Sequence, residues 1–113
     1  MNPRRETRLW IAQRATAVIL ALCVLVHLAT IIYAVRGGLS AAEILARTRG
    51  NVAWAVFYVI FVLAAAVHGA IGLRTVAAEW LGIRGEVAEV AMTLAGVVLT
   101  VMGLRAVVAV FGA

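Results

Sequence analysis

The sequence predicts an all-α integral membrane fold: a single membrane domain over residues 1–113, with three transmembrane helices, a cytoplasmic N-terminus and a short interfacial helix between helices one and two. Three observations carry this. Of 113 residues, 65% are hydrophobic and one is proline, against about 45–50% apolar residues in a soluble domain. Ala15 to Val35 and Gly50 to Leu73 run for 21 and 24 residues without Arg, Asp or Glu, and about 20 suffice to cross a bilayer. Val90 to Leu104 adds 15 more before Arg105, a residue whose stem lets its charge snorkel to the far interface.

The elements follow in order. "MNPRRETR" reads as a polar tail along the cytoplasmic interface. Helix one is expected over about residues 8–35, with Trp10 and Tyr33 as interfacial anchors. "RGGLSAAEILARTRGN" breaks the apolar run: its glycine pair ends the helix, and Ser40 with Glu43 makes a capping box for a short helix, "AAEILART". Helix two is expected over about residues 52–81, between Trp54 and Trp80. "GIRGE" is too short to let its flanking helices part, so helix three, about residues 86–111, must pack antiparallel to helix two. On helix three, Gly96, Thr100 and Gly103 share a face that permits close helix approach. The first run exceeds the roughly 7–15 apolar residues of a signal peptide, so it is expected to persist in the mature protein.

The net charge is +5, and all ten cations are arginine. Arg4, Arg5, Arg8, Arg14, Arg74 and Arg84 fall on one side of the spans, and Arg36, Arg47, Arg49 and Arg105 on the other. That bias places the N-terminus in the cytoplasm and the C-terminus outside. A basic balance also suits nucleic-acid binding, but uninterrupted apolar runs of this length exclude it. Cys23, the sole cysteine, lies inside an apolar run, reads as a small packing residue and offers no disulfide framework. A Gly-rich phosphate loop, paired carboxylates in a cleft and a Ser/His/Asp set are all missing from the sequence, so the chain is not expected to be catalytic alone.

Two histidines interrupt the apolar pattern, and an ionisable residue at such depth marks a functional site by default. Around a helix of 100° per residue, Gly72, Thr75 and Glu79 lie within about 40° of His68, and Phe57, Phe61 and Ala64 continue the stripe. An imidazole with a glycine one turn away suits a flat macrocycle such as haem, with Arg74 two residues later as a cation for its propionates. The competing reading is a histidine hydrogen-bonded across a helix interface. His27 has the same two readings, axial ligand or packing. Measured from Trp10 and Trp80, the two histidines differ in depth by about 7 Å, which argues against both binding one haem within this chain. An iron held by His68 therefore lacks a second ligand, and three helices offer little interior to enclose a haem. Both points call for a second membrane subunit.

"HGAIGLRTVAAEW" resembles the second-helix motif of the cytochrome b anchor subunits of succinate dehydrogenase and fumarate reductase, the respiratory complex II family. That motif is His, three residues, Gly, an apolar residue, Arg, His, and then Asp four residues on. "WIAQRATAVIL" is similar to the family's first helix, where an arginine followed by a small residue and Ser or Thr begins the span. The resemblance covers about Trp10 to Trp80. It implies that His68 is the axial ligand of a b-type haem shared between two anchor subunits, with Gly72, Arg14 and Arg74 in the haem site. It implies that Trp10, Arg14, Glu79 and Trp80 help form a ubiquinone site. It further implies a second membrane anchor subunit, an iron–sulfur subunit and a flavoprotein subunit as partners, in the bacterial cytoplasmic (inner) membrane. The complex would carry electrons from succinate, in the tricarboxylic acid cycle, to quinone. Thr75 replaces the motif's second histidine, Glu79 its aspartate, and Trp10 and Trp80 stand where the two branches have serine and tyrosine. The chemistry is consistent: tryptophan N–H can donate to a quinone oxygen, and arginine stabilises a reduced, anionic ring. Two rival expectations are a haem-free anchor, with His68 only joining helices, and a small transporter or channel subunit. The second is disfavoured because the uncharged runs hold no carboxylate.

Overall fold

A computed structural model describes residues 2–112. The helices are α1 (Pro3–Arg36), α2 (Ala41–Thr48), α3 (Val52–Leu81) and α4 (Glu86–Phe111). α1, α3 and α4 are each long and apolar enough to cross a membrane. They lie side by side in a rod measuring 50 × 24 × 24 Å, as an all-α integral membrane protein requires.

α1 starts earlier than its hydropathy suggests. Asn2 caps it by accepting a hydrogen bond from the Arg4 N–H at 3.0 Å, and Pro3 occupies the first helical position, where no N–H is needed. The tail expected along the interface is therefore the first two turns of a 34-residue helix. At the other end, Gly37 and Leu39 return N–H bonds to Tyr33 and Ala34. Ser40 then accepts from the Glu43 N–H at 3.2 Å and starts α2. The C-terminus of α4 is tied to this strap: Gly50 N–H donates to the Phe111 carbonyl, and Thr48 Oγ1 donates to the Val110 carbonyl at 2.7 Å. Two carbonyls of the last turn, which a helix leaves unsatisfied, are thereby paired.

α3 is the central element, packed against α1 on one side and α4 on the other. Its C-terminus closes on Gly82 in the left-handed region (φ 68°), and Ile83 N–H returns to the Ala77 carbonyl at 3.0 Å. The expected small-residue face of α4 does meet α3. A Cβ at Gly96 would touch Ala70 Cβ at 3.4 Å, and one at Gly103 would overlap the Val62 side chain. The core is built of small groups: Ala64, Ala66, Ala70, Ala77 and Ala88 are buried, with Cys23, Ile71 and Val107. Helices in lipid associate through close backbone approach rather than by hiding large apolar side chains. Leucines and valines accordingly face outward along all three spans.

Candidate functional site

The seam between α1 and α3 is antiparallel and in one register. Thr16 meets His68, His27 meets Tyr58, and Gln13 faces Gly72. Both histidines therefore lie in this seam, but at different levels. His68 is level with Thr16, and His27 is 11 residues further along α1, an axial separation of about 16 Å. This exceeds the offset measured from the tryptophans because Trp10 and Trp80 are not level. The register sets Trp10 opposite Thr75, about 7 Å along the axis from Trp80. The two imidazoles are thus about half the hydrocarbon thickness of a bilayer apart, too far to meet at one site.

His68 is half-buried, with its Nδ1 3.2 Å from Thr16 Oγ1. The Thr16 hydroxyl already donates its single proton to its own helix, at 2.7 Å to the Ala12 carbonyl. Towards the imidazole it can only accept, so Nδ1 carries the proton and Nε2 the free lone pair. No hydrogen bond engages Nε2 among the described residues, and it is not enclosed by protein. Binding metal through one nitrogen while donating a hydrogen bond from the other is how histidine ligands are oriented. No group of three His, Cys, Asp or Glu among the described residues could enclose a bare ion.

The remaining site residues spread along the N-terminal half of the seam. Gly72 does not face open space: the Gln13 amide lies 3.5 Å from where its Cβ would be, and Gln13 Oε1 is buried without a partner. Arg14 is exposed, its guanidinium 5.2 Å from the centroid of the exposed Trp10 ring. It pairs with no carboxylate among the described residues. The register places Arg14 within about 5 Å of the level of His68. Glu79 is exposed and Trp80 is 81% exposed, about 12 Å further towards the N-terminal end than Arg14. Thr75 is turned inward to its own helix and donates to the Ile71 carbonyl at 3.1 Å. His27 sits against the edges of Tyr58 and Phe61, with its Nδ1 3.3 Å from the Tyr58 hydroxyl.

Arg74 is engaged differently from Arg14. Its guanidinium donates to Glu6 on α1 and Glu89 on α4, both at 2.8 Å, and Arg5 also pairs with Glu89. The Arg74 side chain is 13% exposed. This network joins all three spans at one end, and sequence reasoning missed it because Glu6 and Arg74 are 68 residues apart. The available signal was a pair of complementary charges, each one or two turns inside the turn that joins α3 to α4. Arg74→Ala should remove the ion pair of Glu6, leave Glu89 with Arg5 alone and destabilise the fold by about 1–3 kcal/mol. Thermal unfolding of the complex would measure this, and adding Glu6→Gln, which removes the carboxylate left without its ion pair, should recover part of the loss. Additive losses would mean that the pair is not coupled.

Three packed spans, an interfacial strap and one oriented imidazole define a multi-pass membrane subunit. A family model described as the succinate dehydrogenase/fumarate reductase transmembrane subunit matches residues 1–111. The chain belongs to that family. No curated protein and no solved structure matches it. As a membrane subunit of complex II it lies among lipids and joins soluble subunits of that assembly.

Proposed function

We propose that this chain is the membrane anchor subunit of a bacterial inner-membrane succinate dehydrogenase, holding a b-type haem through His68 and helping to form the ubiquinone-reduction site. The observation that carries the reading is the Thr16–His68 hydrogen bond, which puts the imidazole proton on Nδ1 and leaves Nε2 for iron. The haem would supply a one-electron carrier between the iron–sulfur subunit and quinone. A second anchor subunit would contribute the other axial ligand, since His27 lies too far along the seam. Arg14, near the level of His68 and unclaimed by a carboxylate among the described residues, is the cation for a propionate or a quinone oxygen. Arg74, held by Glu6 and Glu89, and Gly72, filled by Gln13, would shape the site from behind. Trp10, Glu79 and Trp80 would serve the quinone at the membrane surface.

One observation favours a second reading. The same Thr16–His68 bond joins two helices, which is all that a haem-free anchor needs from it. A reduced-minus-oxidised spectrum of the complex purified with its partners separates the two. A b-type signal absent from a quinone-active complex would leave the haem-free anchor. The chain expressed without partners is expected to bind little haem, and a haem-loaded isolated chain would overturn the shared site.

A further inference from the structure

The end of the molecule that carries α2 has unmatched charge. Arg36, Arg47, Arg49 and Arg105 lie towards it against one carboxylate, Glu43. None of the four arginines forms an ion pair among the described residues, whereas Arg5, Arg74, Glu6 and Glu89 are paired at the opposite end. Cations at a membrane surface without internal partners are free to engage anions.

One of them borders a slot. α1, α2 and α3 enclose about 270 Å³ between Ala34, Ile44, Arg47, Trp54 and Tyr58, reaching His27. The polar atoms of His27 and Tyr58 bond to each other, so the inner walls present mainly apolar surface. Arg47 is held by Tyr33, its guanidinium 5.4 Å from the ring centroid. The slot thus offers one preset cation beside an apolar recess. Its volume falls below the roughly 300–1,000 Å³ of sites that enclose a whole ligand. It suits one chain of a larger amphiphile whose remainder lies outside. α2 is amphipathic and runs between the ends of two membrane-crossing helices, which suits a helix lying in the membrane interface.

We propose that this slot binds an anionic phospholipid of the adjoining leaflet, with its phosphate against Arg47 and an acyl chain between α1, α2 and α3. Arginine between helices near the membrane surface is suited to such a headgroup, because its planar fork matches two phosphate oxygens.

The test uses the full-length chain purified from membranes with its partner subunits, stripped of loose lipid by detergent. Phosphatidylglycerol, phosphatidylcholine or inorganic phosphate is added, and retained lipid is counted by native mass spectrometry. The unmodified protein is expected to retain phosphatidylglycerol over phosphatidylcholine. Arg47→Gln should weaken that retention about tenfold, as for one lost charge-assisted hydrogen bond. Ala34→Phe, which keeps the cation and fills the recess, should weaken it as much, and Arg105→Gln should not change it. Equal retention of both lipids, no effect of either slot variant, or the same loss with Arg105→Gln would overturn the proposal. So would competition by inorganic phosphate at the concentration of the lipid, which would indicate a site for a free anion.

Discussion

His68→Ala should abolish the b-type absorption of the assembled complex while leaving succinate oxidation by a soluble dye intact. The substitution removes the oriented Nε2, and the water or side chain that could replace it has no comparable affinity for iron. It also removes the partner of Thr16, so the loss needs a control for packing. His68→Gln supplies one, because its amide can still donate to Thr16 but offers iron no imidazole. If His68→Gln loses the absorption and keeps the assembly, ligation is the cause. An unchanged spectrum in both variants would sink the assignment. Thr16→Val should have a smaller effect: the haem stays, but the imidazole is less firmly oriented and the midpoint potential shifts. His27→Phe should leave the spectrum largely intact, since Tyr58 and Phe61 already surround that ring.

Arg14→Leu should lower quinone reductase activity about tenfold, the size expected for losing one charge-assisted hydrogen bond of about 1.5–3 kcal/mol. On the proposed assignment a flavoprotein partner carries out succinate oxidation, so dye-linked activity should be spared. Arg14 suits this test because its exposed guanidinium leans on Trp10 and carries no ion pair of the fold among the described residues. Arg74 would not suit it, since its removal unties three helices. Equal loss of both activities in Arg14→Leu, with a weakened haem spectrum, would mark an assembly residue instead. Normal quinone activity would remove Arg14 from the site.

The spans were legible in the sequence because bilayer thickness fixes how many uncharged residues a helix needs, and the strap because Ser40 and Glu43 announce a helix start. The true beginning of α1 was written in Asn2 and Pro3, but hydropathy drew attention to the apolar run instead. Both histidines were visible as residue types out of place. Their partners were not: which threonine or tyrosine they meet depends on the sliding register of α1 on α3, and no single-helix periodicity encodes that. Trp10 and Trp80 misled for the same reason, since both can anchor at an interface without being level. The Arg74 network depended on the same missing information, with partners drawn from the first turns of two other helices.

The short turn from Gly82 to Gly85 bears on how the chain enters the membrane. α3 and α4 leave the ribosome as arms of one hairpin, with Arg74 on the first and Glu89 on the second. Their separation of 15 residues brings opposite charges together across that turn. A lone charge at the centre of a span costs about 2.5–3.5 kcal/mol on insertion scales, and less near an interface. Once the arms fold together, that cost is met by mutual neutralisation within a segment synthesised in seconds. Glu6 is made 68 residues before Arg74, so its carboxylate has no partner to close on until α3 has followed. The chain order thus sets the Arg74–Glu89 pair within one hairpin, whereas the Glu6 pair needs two spans made far apart to meet.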